Sequence, residues 1–210
     1  MSIEALQKIN NNYHTALAVH RELADVFWFI YVPGYALWME YQLLQESMTQ
    51  RKLKRYIAST YHVFSPDVLP QTANISEPLL KGKNRKTLKM EDMWQIIQQS
   101  FQAYCDFEEK NLQMYQKTAT EILAKGDVAV LNFVSEIIRD VKAELTYVVD
   151  KQIELCAHDY DMPTIVGEQA DYFERYSKLI GGMFKKKNMM NLHHSNSALD
   201  VHSRVEESYV

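Results

Sequence analysis

The sequence predicts an all-α fold, a four-helix bundle made of two antiparallel hairpins. Apolar residues recur three or four apart through four long segments, 4–31, 35–62, 90–124 and 128–160. The connections run short, long, short: Pro33-Gly34, then an irregular stretch over 63–89, then Lys125-Gly126-Asp127. Six Gly and five Pro in 210 residues are too few for the turns of an all-β chain.

The first helix carries Leu6, Ile9, Tyr13, Leu17, Leu23, Phe27 and Ile30 on one stripe. Pro33 disfavours a helical Val32, and Gly34 permits a sharp reversal, so this helix is expected to stop near Tyr31. The second helix follows Leu37, Trp38, Tyr41, Leu44, Met48, Leu53 and Tyr56. Pro66, Pro70 and Pro78 exclude a single helix over 63–89 but leave room for a short one. The third helix runs through Trp94, Ile97, Phe101, Tyr104, Leu112, Tyr115 and Ile122. Gly126 is a natural stop and Asp127 a natural N-cap for the fourth, which carries Leu131, Val134, Ile137, Val141, Leu145 and Val148. Pro163 is expected to end it, and 166–180 to form one short extra helix. Residues 1–182 thus read as one bundle and 183–210 as a flexible tail.

Composition narrows the function. A formal net charge of −4 gives the whole chain no pull toward nucleic acid or anionic lipid. The longest uncharged apolar run, Val26 to Met39, is broken at Pro33-Gly34 and too short to span a bilayer. A secretory leader is not expected, because Glu4, Gln7 and Lys8 interrupt the opening segment. Cys105 and Cys156 make no framework, as suits a reducing cytoplasm. There is no Gly-rich phosphate loop, zinc spacing or nucleophile motif, so no nucleotide is expected.

Several strings resemble the ferritin-like superfamily, whose bundles share the short–long–short connectivity. Glu109-Lys110-Asn111 is similar to the run on ferritin third helices, and Ala119-Thr120, Phe133 and Val141-Lys142-Ala143 fit the same region. In length and N-terminal half the chain looks closest to the Dps-type miniferritins. Trp28 and Ile30 fit their motif, and the separation of Phe27 from Met39 fits that of its two histidines. Both histidine positions are nevertheless apolar, and Leu43 replaces the acid. The resemblance implies a cytoplasmic homo-oligomer that takes up iron, oxidises it, stores it as mineral and protects against oxidative stress. It also raises DNA binding through Lys185, Lys186 and Lys187.

A di-iron bundle site needs carboxylates and histidines on one inward face, including Glu-x-x-His pairs one turn apart. No Glu-x-x-His occurs in this chain. A looser set remains as candidate metal ligands: His20, Glu22, Glu46, Glu108, Glu109, Asp140 and Glu144. His20 and Glu108 lie in phase with the stripes of their helices, and Glu144 lies near its own. The other reading is that these groups flank the stripes and pair with Lys, Arg or Tyr. Glu154 and His158 read as an exposed contact rather than a metal pair.

The aromatic run Phe27, Trp28, Phe29, Tyr31, Tyr35 and Trp38 circles its helices rather than keeping to one face. The surplus is expected to be covered by another subunit, or else by the 63–89 crossover. The sequence therefore supports two functions: an iron-binding, ferritin-like oligomer, or a scaffold of the same fold without a metal centre.

Overall fold

A computed structural model of the chain describes residues 2–65, 73–161 and 163–183. Its helices are α1 (Ser2–Phe29), α2 (Pro33–Tyr61), α3 (Ser76–Leu80), α4 (Met90–Ala124) and α5 (Val128–Ala157). A sixth, α6, spans 163–183. Among the described residues there is no strand, so the all-α expectation holds.

The two apolar cores explain the topology. One gathers Leu6, Ile9 and Tyr13 of α1 with Leu53, Ile57, Tyr115, Ile122, Val134 and Ile137. The other gathers Leu23, Phe27, Tyr35, Trp38, Ile97, Phe101, Tyr104, Val148 and Leu155. Each long helix passes from one core to the other, so α1 and α5 run one way while α2 and α4 run the opposite way. Because α2 and α4 are parallel, their connection must travel the length of the bundle.

The crossover is fastened along its route. Both carboxylate oxygens of Glu22, in mid-α1, accept backbone hydrogen bonds: from Ala73 (2.8 Å), Asn74 (3.2 Å), Ile75 (2.8 Å) and Ser76 (3.0 Å). Leu79, Leu80 and Leu88 then pack on the second core. Arg85 stacks over Tyr31 at 4.0 Å and donates to the Trp28 carbonyl.

Two turns differ from expectation. α1 ends at Phe29, and Tyr31, not Gly34, takes the left-handed conformation with φ 62°. Pro33 instead opens α2, where its fixed φ and missing N–H cost nothing. α5 ends at Ala157, before left-handed Asp159 and Tyr160, so Pro163 does not end it. Pro163 opens α6, which Asp161 caps by accepting from the Thr164 backbone at 2.8 Å. The α4–α5 turn is as expected, with Gly126 at φ 70° and Asp127 accepting from the Val130 N–H.

α6 covers the Tyr35 and Trp38 part of the aromatic flank, for which a second subunit or the crossover was expected. It lies along α2 and α5, with Tyr172 edge-on to Tyr35 and Trp38 at 5.7 and 5.5 Å, and Tyr176 beside Tyr41 at 5.3 Å. Tyr35 donates to Glu168, which also receives Lys151 from α5. A buried lysine needs such partners. Burial of Ile165, Tyr172 and Tyr176 on this flank stabilises the bundle by roughly 1.5–3 kcal/mol each. The chain therefore covers most of its own flank, leaving Trp28 and Tyr31 exposed at 39% and 56%. Met183 ends the described part of α6, and the rest of the expected tail, with Lys185, Lys186 and Lys187, lies outside the described residues.

Candidate metal centre

Between the two cores lies a polar layer to which each long helix contributes one histidine or glutamate. These are His20 from α1, Glu46 from α2, Glu108 from α4 and Glu144 from α5. His20 and Glu108 are closed off, at 0% and 1% exposure. The side chains of Glu46 and Glu144 retain 13% and 17%, so the layer opens on the α2–α5 side.

His20 is oriented from its own helix. Its Nδ1 lies 3.0 Å from the Ala16 carbonyl oxygen and 2.8 Å from Glu46 Oε2. Both are acceptors, so Nδ1 carries a proton. A carbonyl or carboxylate on one ring nitrogen is the arrangement that fixes a metal-binding histidine, leaving the other nitrogen directed at the ion. That nitrogen, Nε2, faces Tyr104 Oη at 3.1 Å and Glu144 Oε1 at 3.5 Å. Tyr104 in turn donates to Glu144.

The charges are held in tension. Burial alone would depress the His20 imidazole, but the Glu46 and Glu144 carboxylates outweigh it and hold its pKa well above the usual value. Burial, reinforced by Glu144 and Glu46, pushes Glu108 well up. Burial also raises Glu46, against the pull of His20. Glu108 Oε2 receives only a long 3.4 Å bond from Asn111, and its Oε1, although buried, has no hydrogen-bond partner among the described residues. An orphaned carboxyl oxygen in a native interior calls for an explanation.

Ligand atoms of His20, Glu46 and Glu108 all lie within 4.8 Å of one another, a spread one cation can bridge. Glu144 joins this cluster through its contact with His20 Nε2. The other three candidates lie elsewhere. Glu22 is spent on the crossover backbone, with a fifth bond from Ser76 Oγ at 3.1 Å. Glu109 is exposed, so the Glu109-Lys110-Asn111 string places its neighbour, not itself, in the interior. Asp140 is exposed on α5, 3.7 Å from Arg139. Glu154 is bound by Lys151 at 2.5 Å.

Sequence reasoning missed Tyr104 as a member of this layer, reading it as part of a core stripe. Its position one turn before Glu108 was the available signal, because residues four apart share a helix face. It also missed the amide track behind Glu108, where Asn12 donates to Asn111 (2.8 Å) and Tyr115 (3.0 Å).

No protein-family profile and no curated protein matches the sequence. Solved structures do match. A closed form of the Archaeoglobus fulgidus ferritin, engineered by site-directed mutagenesis, superimposes with a TM-score of 0.66 at 16% identity, over 82% of this chain and 94% of that one. The open-pore ferritin of the same hyperthermophilic archaeon gives 0.66 at 16%, with the same coverage. An iron-soaked variant of PmFTN gives 0.65 at 11%, over 80% and 96%. At these identities the likeness is one of architecture, and it agrees with the helix order and crossover described above. The chain has the ferritin-like helical-bundle fold.

Proposed function

We propose that this protein is a ferritin-fold cation binder whose cargo is iron, held at the polar layer by His20, Glu46, Glu108 and Glu144. The observation that carries this reading is the orphaned Glu108 Oε1, in a buried layer where ligand atoms of His20, Glu46 and Glu108 lie within 4.8 Å of one another. The donor set fits such an ion: carboxylates and one imidazole suit borderline to hard divalent cations. The layer lacks the second histidine and the Glu-x-x-His pair of the di-iron pattern, so the reading is of one ion per chain rather than a coupled pair.

In this reading His20 presents Nε2 because Ala16 and Glu46 hold Nδ1. Glu144 and Glu46 stand at the opening, where they attract the incoming cation and surrender their water. Glu108 waits inside, uncommitted to any protein donor strong enough to compete. A bound iron ion supplies positive charge that neutralises the layer. Copies of the chain would assemble in the cytosol, and sequestered ferrous ion would be kept from peroxide, the protective part of the proposal.

A second reading keeps the fold without the metal. His20 pairs with Glu46, and Tyr104 with Glu144, so most of the layer is satisfied from within. The protein would then be an assembly or binding scaffold. Anaerobic titration with ferrous ion, followed by desalting and metal analysis, separates the two. One ion retained per chain, lost in His20→Ala, supports the first reading; no retained iron, zinc or cobalt supports the second. None of the described helices is long and apolar enough to cross a membrane.

A further inference from the structure

We infer that Asn111, aimed by Asn12, is a positioning residue for the cation: it holds Glu108 Oε2, so that Oε1 is the oxygen left to bind. This rests on the cation-binding reading and adds to it two residues that never touch the ion.

The relay is laid out along two helices. Asn111 follows Glu108 by three residues on α4, so both side chains share a face. Its Nδ2 donates to Glu108 Oε2 at 3.4 Å, and its Oδ1 accepts from Asn12 Nδ2 at 2.8 Å. Asn12, on α1, also donates to the Tyr115 hydroxyl at 3.0 Å, four residues further along α4. The Asn12 amide is thus gripped by two acceptors one turn apart, and it fixes which way round the Asn111 amide stands. The Tyr115 ring is itself placed, lying beside Tyr13 at 6.4 Å. Asn111 and Tyr115 are 4% and 1% exposed, so solvent offers neither a substitute partner. An oriented donor of this kind has lost its freedom on folding, before any ion arrives.

Comparison with the other engaged carboxylates shows that this donor positions rather than satisfies. Glu22 accepts five hydrogen bonds through both of its oxygens. Glu168 receives Lys151 on one oxygen and Tyr35 on the other. Glu108 receives a single neutral amide on Oε2, while its buried Oε1 has no partner among the described residues. A lysine or arginine at position 111 would set a like charge against the incoming cation. An amide supplies the donor without the charge.

A carboxylate that binds an ion through one oxygen is held in place when its other oxygen accepts a hydrogen bond, and losing that bond weakens the metal about 10–100-fold. With Oε2 tied to Asn111, Glu108 meets the ion through Oε1 alone. Space around the ion is thereby kept for His20, Glu46 and Glu144.

The test is equilibrium dialysis of the full chain against cobalt(II) chloride, with metal analysis and the visible ligand-field band as two readouts. Asn111→Leu keeps the volume and removes the amide. It should leave the far-ultraviolet dichroism unchanged and weaken cobalt binding at least about tenfold, or about 1.4 kcal/mol. It should also dim the band, because the freed Glu108 carboxyl closes on the ion with both oxygens, and cobalt absorbs more weakly as its coordination number rises. Asn12→Ala, at a half-buried position, releases Asn111 without altering it and should shift both readouts the same way by a smaller factor. Either readout unchanged in Asn111→Leu overturns the inference and leaves the cation site standing; weaker binding under an unaltered band is the mark of general loosening. Should Asn111→Leu fail to fold, Asn12→Ala decides by the same two readouts. No cobalt, zinc or iron retained by the unaltered chain overturns the cation-binding reading and this inference together.

Discussion

Gly34 lies so close to Gln169 that a Cβ built on it would stand 1.8 Å from the Gln169 carbonyl oxygen. The two residues mark where α6 meets the first turn of α2, and the Gly34 N–H points at the Gln169 side chain at 3.4 Å. A glycine early in a helix is ordinarily a weakness, about 1 kcal/mol worse than alanine. Here the backbone of a neighbouring helix occupies the space an alanine would need, so the usual preference is reversed.

Gly34→Ala is therefore expected to destabilise the protein by about 2 kcal/mol, the scale of overpacking in a closed interior. The strain falls on α6, so Tyr172 should part from Trp38. Urea unfolding gives the magnitude. Faster proteolytic cleavage around residues 158–162 would show that α6 has loosened. An alanine variant as stable as the parent would contradict the close approach.

Glu22 fastens the crossover instead of joining the polar layer, and acid should release it. Burial pushes its carboxyl upward, but the Ser76, Ile75 and Ala73 backbone donors and the Ser76 hydroxyl outweigh that and hold its pKa below the ordinary 4.5. A carboxyl lowered by folding contributes stability that is complete above 4.5 and is lost as pH falls through the folded value. Glu22→Gln removes this contribution, at a cost of about 2 kcal/mol near neutrality, the usual scale for hydrogen bonds to a charged group. Hydrogen exchange at residues 73–76 should quicken in the variant, and the pH dependence of stability below 4.5 should become shallower.

Glu108 predicts the opposite slope. A carboxyl whose pKa is raised by folding keeps its proton longer in the bundle than in the unfolded chain. Its contribution is complete below 4.5 and fades as pH rises toward the folded value. His20, also raised, loses its contribution as pH climbs above 6.5 through its own folded value. Without metal the protein should thus become less stable from mildly acidic to mildly alkaline solution. Glu108→Gln should flatten part of that fall and be more stable than the parent in mild alkali by on the order of 1 kcal/mol. The same variant should lose the stabilisation that added metal confers on the parent. Thermal midpoints across pH, with and without zinc, measure both effects; a variant less stable at every pH would show that Glu108 serves packing alone.

The sequence by itself determined the four long helices and the order of their connections, because helical period and turn residues are local properties. It also placed His20 and Glu108 inward, since each falls in phase with the apolar stripe of its own helix. Asp127 as cap and Gly126 as stop were legible for the same reason. What only the tertiary structure decided was which groups meet. Glu22, Glu109 and Asp140 are as acidic as Glu46, and no local pattern separates them from it. Glu22 was claimed by a backbone 51 to 53 residues away. Tyr104 joined the layer because antiparallel packing set its hydroxyl between α1 and α5. The aromatic flank was covered by α6 because Gly34 let that helix approach, a fit that depends on two segments 135 residues apart in the chain. Period fixes the face a residue shows, but its neighbours across the interior are set by how helices dock, and that information is spread over the whole chain.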